Sequence, residues 1–178
     1  EAAYLRAIAE ARAEIIIANA GFLPGRRFRA ALLAAAERGE RVILLLQGRV
    51  ETALQHFATQ LLYGPLLAAG VAIHEYQAGF IHAKVAVVDG EWMTVGSSNL
   101  DPFSLLTARE ANLLVRDRGL AGLLRRDLLR HIQDEALPVT RADQGRQPWW
   151  RAALPWLSYQ LVRILLGVTG YGGKDYLE

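Results

Sequence analysis

The chain has 178 residues, 52% of them hydrophobic and 21% charged, with a formal net charge of +2. That is globular composition, long enough for one domain with a real core and too near neutral for basicity alone to name a polyanionic partner. It has no cysteine, which excludes disulfides and thiolate metal sites and suits a reducing compartment.

Residues 1–13, rich in Ala with Arg and Glu interspersed, predict a surface helix. Residues 14–18 (EIIIA) predict a buried strand, and 19–25 (NAGFLPG) a loop dense in turn formers. A helix over 26–38 turns Phe28, Leu32 and Leu33 inward and ends at Gly39 as its C-cap. Residues 41–46 (RVILLL) form a second buried strand. The helix expected over 51–69 is broken near Gly64-Pro65, because proline lacks an amide hydrogen and crowds the preceding turn. A strand over 71–76 follows.

The run 80–99, FIHAKVAVVDGEWMTVGSSN, alternates and is rich in valine before Gly90, as a buried strand does. Asp89-Gly90 is a hairpin signal leading into a second strand over 91–95. Residues two apart share a strand face, so His82 and Lys84 point one way and Ile81, Ala83, Val85 and Val87 the other. The hairpin returns Gly96-Ser97-Ser98-Asn99 beside His82 and Lys84, where Gly96 permits close backbone approach. Asp101-Pro102 starts a short helix or turn. Residues 110–116 (EANLLVR) predict a strand, and 120–135 a helix with Leu123, Leu124, Leu128 and Ile132 on one side.

Strand and helix alternate through the first half, then strands cluster. The expected fold class is therefore α/β, a mixed β-sheet sandwiched between helices. Composition changes after Leu137, where Pro138, Asp143, Gly145 and Pro148 make a loop. Beyond it Trp149, Trp150, Arg151, Trp156, Tyr159 and Arg163 punctuate an apolar run ending at Val168. The expected division is a catalytic domain over 1–137 and a linker with a Trp/Arg-rich tail over 138–178. The tail is too short and too charged to span a bilayer; it suits the membrane interface or packing on the domain. No spanning helix or signal peptide is visible, and Glu1 runs at once into a helical pattern, as in an excised part of a longer protein.

Imidazole is a nucleophile or acid/base near neutral pH, lysine a compact cation, and serine and asparagine neutral donors. Such groups around one imidazole suit a phosphodiester: His82 attacks phosphorus while the donors stabilise charge on the non-bridging oxygens. The spacing His82-x-Lys84-x4-Asp89-x6-Gly96-Ser97-x-Asn99 resembles the HKD signature of the phospholipase D superfamily, with no position missing. AREANLLVRD, SSNLDPFSL, NAGFLPGRRF, RVILLLQGRVE and the WW-containing tail are similar to the C-terminal half of bacterial cardiolipin synthases, especially the class B branch.

That resemblance implies one HKD half-domain of a phosphatidyltransferase. The enzyme would make cardiolipin from phosphatidylglycerol and a second phospholipid through a phosphohistidine. It implies His82 as the catalytic histidine, Lys84 and Asn99 as phosphate-holding residues and Ser97 as the hydroxyl at the site. Asp89 becomes the motif aspartate, more structural than chemical, and Glu110 the carboxylate that orients the histidine. Arg26 and Arg27 are candidate contacts to a lipid phosphate. No metal or other cofactor is needed, since Lys84, Asn99 and their partner copies supply the charge.

Only one motif is present, while in-line displacement needs a second proton donor opposite the nucleophile. His56, His74 and His131 lack a Lys or Asn-Gly context and read as surface or satisfied core histidines. The missing acid is expected from an absent N-terminal HKD half or a homodimer partner. Expected partners are phospholipid substrates and a membrane surface, with peripheral attachment at the cytoplasmic side of the inner membrane and no nucleic acid. Two alternatives stay open: a single-motif homodimeric phosphodiesterase or endonuclease, and an inactive lipid-binding half-module.

Overall fold

Strand β1 (Glu14–Asn19) is buried along its whole length. Layers of helix cover both of its faces, hence an unbroken isoleucine run where a half-exposed strand would alternate. It lies at the centre of a seven-stranded mixed sheet of order β6-β5-β4-β1-β2-β3-β7. Strand β2 (Arg41–Gln47) runs parallel to β1, and β3 (Ala72–Tyr76) parallel to β2. On the other side β4 (Lys84–Val88), β5 (Trp92–Gly96) and β6 (Asn112–Arg116) continue antiparallel. The computed structural model describes residues 2–49, 53–102, 104, 109–145, 154–162 and 164.

One face of the sheet packs under α1 (Ala2–Glu10), α2 (Arg26–Glu37) and α3 (Ala53–Ala68), where Ile15, Ile17, Leu44 and Leu46 meet Ile8, Phe28, Leu32 and Leu62. The other face packs under α4 (Arg118–Glu135), where Ile16, Ala18, Ile43, Leu45 and Val87 meet Ala121 and Leu128. Ile81, Ala83 and Val85 border this second layer, as alternation predicts. The mixed sheet between helices is therefore the observed architecture.

Several boundaries moved for identifiable reasons. Helix α1 stops at Glu10, short of residue 13, because the amides of Arg12, Ala13 and Glu14 each donate to the Asp89 carboxylate at 2.9 Å. Asp89 (φ 52°) and Gly90 (φ 64°) form the left-handed pair of the expected hairpin, closed by the Glu91 amide on the Val88 carbonyl at 3.1 Å. Strand β4 begins only at Lys84, so His82 sits in the connection before it and not on the strand. Strand β6 begins at Asn112, leaving Glu110 just ahead of it.

Helix α3 runs through Gly64 and Pro65 without the expected break. Both residues are exposed, and buried Leu62, Tyr63 and Leu66 hold the axis against the sheet, so the lost backbone bond faces solvent. On α4 the inward stripe is Ala121, Leu124, Leu128 and Ile132; Leu123 falls off that stripe and is 57% exposed. Asp117 caps this helix through the Leu120 amide at 2.8 Å.

Strand β7 (Ala136–Val139) pairs antiparallel with β3, so the composition break after 137 falls inside the sheet. Pro138 is tolerated because β7 is an edge strand. A short α5 (Arg141–Gly145) follows. A helical stretch over 154–162 returns to the first layer, with Val162 only 3% exposed and Tyr159 packed against the same core. Trp149, Trp150, Arg151, Arg163 and Val168 lie outside the described residues. Among the described residues no helix is long and apolar enough to cross a membrane.

Candidate active site

The site is built where β1 and β5 end and β4 and β6 begin. Register makes this one edge: Lys84 opens β4 opposite Asn19, which closes β1, and Gly96 closes β5 opposite Asn112, which opens β6. Three chain segments therefore deliver His82, Lys84, Ser97, Asn99 and Glu110 to the same rim, beside the end of β1.

The connection carrying His82 is tied on both sides of the histidine. The Ile81 amide donates to Gln47 Oε1 at 2.7 Å, and the Ala20 amide donates to the Ala83 carbonyl at 3.0 Å. The imidazole between them is exposed. Lys84 is only 9% exposed, and its Nζ donates to the His82 carbonyl at 3.2 Å. A buried ammonium needs such partners, since desolvating an unpaired charge is costly.

Gly96 has no room for a side chain. A Cβ there would stand 1.7 Å from Asn112 Oδ1 and 2.5 Å from the Ala111 carbonyl. This closeness brings the next residue onto the strand: the Ser97 amide donates to the Ala111 carbonyl, and the Ala111 amide donates to Ser97 Oγ, both at 3.0 Å. Glu110 is thereby placed beside Ser97 and Lys84. Its carboxyl is held below the usual range by the Ser104 hydroxyl first, then by Ser97 and the charge of Lys84, against some desolvation.

Ser104, Asn19 and Asp101 were not singled out from the sequence. Ser104 Oγ donates to Glu110 Oε1 at 2.6 Å and accepts the Asn99 amide at 3.0 Å. Asn19 Oδ1 accepts the amides of Gly21 and Leu100, each at 3.2 Å. Buried Asp101 accepts the Ser104 amide at 2.8 Å and Gln55 Nε2 at 3.0 Å. These bonds hold Asn99 from both sides. Its Oδ1 is buried with no hydrogen-bond partner among the described residues. The only local signal was the polar cluster SSNLDPFS itself.

The other expected site residues lie elsewhere. Asp89 is at the far end of β4, spent on three backbone amides. Arg26 and Arg27 stand exposed in the first turn of α2. Glu110 accepts from Ser104, and the His82 ring bonds to no group among the described residues. Of the remaining histidines, His131 pairs with Glu135 at 3.0 Å, while His56 lies 3.0 Å from Gln60 Nε2. His74 is not satisfied: its Nδ1 is buried without a partner among the described residues.

An exposed imidazole, a half-sealed ammonium, an amide, a hydroxyl and a carboxylate on one sheet edge define a phospholipase D-like domain. The fold agrees with solved structures. Phosphatidylserine synthase of Haemophilus influenzae superposes with TM-score 0.69 at 14% identity, over 90% of this chain and 41% of that one. The phospholipase D family member Nuc of Salmonella typhimurium superposes with TM-score 0.68 at 20% identity, over 78% and 90%.

The chain belongs to the family described as cardiolipin synthase, PLD-like domain, which it matches over residues 4–132. It is 39% identical to cardiolipin synthase B of Escherichia coli K12 over 168 residues, 94% of this chain. It spans only 41% of that relative's length.

Proposed function

We propose that this chain supplies one of the two catalytic histidines of a phosphatidyltransferase that makes cardiolipin from phosphatidylglycerol and a second phospholipid. The observation that carries the reading is the convergence of His82, Lys84, Ser97, Asn99 and Glu110 on one edge of a domain of this family. One of the two histidines, His82 or its counterpart, attacks the phosphorus of the donor lipid through an imidazole nitrogen. The phosphorus–oxygen bond opposite breaks, and the departing alcohol takes a proton from the other histidine. The acceptor hydroxyl then attacks the phosphohistidine, returns its proton to that other histidine, and the phosphorus–nitrogen bond breaks. Lys84, Asn99 and Ser97 stabilise the non-bridging oxygens in both steps.

The second histidine comes from another HKD half or from a copy of this chain across a two-fold axis. Attachment is peripheral, at the cytoplasmic face of the inner membrane. The stretch 154–162 supports it: Val162 packs inward, while Trp156, Leu157 and Leu161 face outward beside Ile164. Arg26 and Arg27, exposed in the first turn of α2, are the proposed contacts to a lipid phosphate. The test is His82→Ala in the protein carrying this chain, with labelled phosphatidylglycerol in liposomes. Transfer should fall to background while the circular-dichroism melt is unchanged, and near-normal turnover would refute the assignment.

A further inference from the structure

Beside the His82 connection lies a second concavity. A cleft of about 40 Å³ opens between the ends of β1 and β2 and the start of α3. Its polar walls are Gln47, Arg49, Gln55, His56, Thr59 and Tyr63. One water needs roughly 10–15 Å³, so the cleft holds about three oxygen-sized groups.

Three bonds join the cleft to the catalytic rim. Gln47 accepts the Ile81 amide, and Ala20, another wall residue, donates to the Ala83 carbonyl, so His82 hangs between two wall contacts. Gln55 donates to Asp101, two residues beyond Asn99. Gly21 is the close-packed point between them: a Cβ there would stand 2.5 Å from Gln55 Nε2 and 3.0 Å from Asn99 Cγ.

The wall chemistry selects a ligand. Thr59 Oγ1 donates to the Phe22 carbonyl at 2.6 Å and Tyr63 donates to Glu75 at 3.0 Å, so each hydroxyl hydrogen is spent within the fold and only its oxygen can still accept. Arg49 spends Nε on the Gln77 carbonyl at 3.1 Å and keeps its terminal nitrogens as donors among the described residues. Burial lowers the pKa of His56, and its Nε2 accepts from Gln60 Nε2 at 3.0 Å, so the neutral ring keeps Nδ1–H as a donor for a ligand. Neutral polar groups beside one guanidinium, with no carboxylate among the described wall residues, suit a cluster of hydroxyls and repel an ammonium.

We propose that this cleft is the acceptor subsite, holding the polyhydroxyl headgroup whose free hydroxyl attacks the phosphohistidine, with His56 and Arg49 selecting it over an ammonium headgroup. The proposal rests on the transferase reading above. Its first test does not need turnover: histidine-ring NMR of the full chain, titrated separately with glycerol and ethanolamine. Glycerol should shift the His56 ring saturably and leave His74 and His131 in place. No shift, or an equal shift with ethanolamine, overturns the subsite.

The second test compares phosphatidylglycerol, phosphatidylethanolamine and free glycerol as acceptors. His56→Phe and Arg49→Gln should each lower the kcat/KM ratio of phosphatidylglycerol to phosphatidylethanolamine about tenfold, the loss of roughly one hydrogen bond. Arg49 is exposed, so Arg49→Gln reports even if His56→Phe does not fold. A ratio unchanged in the variants overturns the proposal. The free-glycerol arm separates headgroup recognition from recognition of the whole lipid. Absence of all transfer in the wild-type protein carrying this chain with its second histidine overturns the transferase reading, while the ring titration still decides the cleft.

Discussion

Ser104 Oγ lies 2.6 Å from Glu110 Oε1 and donates to it, while accepting the Asn99 amide at 3.0 Å. One hydroxyl thus sets both the carboxylate beside Lys84 and the backbone of Asn99. Ser104→Ala removes the largest influence holding the Glu110 pKa down, so that pKa should rise toward its ordinary value. The acid limb of the pH–rate profile should move to higher pH, with a loss of about tenfold in kcat, and Ser104→Thr should restore both. An unmoved acid limb in Ser104→Ala would show that Glu110 does not depend on this bond.

Asp89 is a scaffold residue by its contacts. Asp89→Ala orphans the amides of Arg12, Ala13 and Glu14 at the entry to β1 and should cost about 2–4 kcal/mol in urea unfolding. The folded fraction should keep a near-normal kcat, because the far end of β4 is on the order of 13 Å from Lys84. A large fall in kcat at full folding would place Asp89 in the chemistry.

Gly96→Ala tests the packing that seats Ser97. The new methyl collides with Asn112 Oδ1 and the Ala111 carbonyl, so β6 must move and carry Glu110 with it. About 1–3 kcal/mol of stability should be lost, with a fall in kcat greater than that of Ser104→Ala. Adding Asn112→Gly should partly rescue Gly96→Ala.

Glu14, at the start of β1, ties β2 to α4 through Arg41 and Arg125. Burial pushes its carboxyl up, but the bonds from Arg125 and Arg41 outweigh it and hold the pKa below the usual value. A depressed folded pKa means stability fully present above the ordinary carboxylate pKa and lost as pH falls through the folded one. Glu14→Ala should cost about 2–3 kcal/mol near pH 7 and flatten the acid limb of the stability curve, read by denaturant melts between neutral and acid pH.

Trp156 is 54% exposed on the outer side of the stretch 154–162, next to Leu157. A Trp156→Ala/Leu157→Ala double variant should weaken sedimentation with anionic vesicles about tenfold at unchanged thermal stability, since little burial in the fold is lost. Unchanged vesicle binding would leave the outer face of this stretch without a membrane role.

Much of the site was legible because its chemistry is concentrated in one hairpin. His82, Lys84, Ser97 and Asn99 lie within eighteen positions, and Asp89-Gly90 folds that run back on itself. Alternation placed Ile81, Ala83, Val85 and Val87 toward α4 even though regular pairing starts only at Lys84. By contrast, the proline in α3 misled because its cost depends on whether the lost bond faces water. Leu123 misled because a leucine-rich helix offers more than one plausible stripe.

Local pattern determined the element types, the sheet sandwiched between helices and the hairpin residues His82, Lys84, Ser97 and Asn99, since each follows from spacing along a short stretch, whereas Glu110 was found only through the family resemblance. Tertiary structure alone decided what holds them: Asp89 reaching back to Arg12 and Ala13, Asn19 clasping Leu100, Gln47 steadying Ile81, and Ser104 bridging Asn99 to Glu110. Side-chain bonds to backbone amides have no sequence period, and most of these span dozens of residues. They exist only once the sheet has brought its strand ends together.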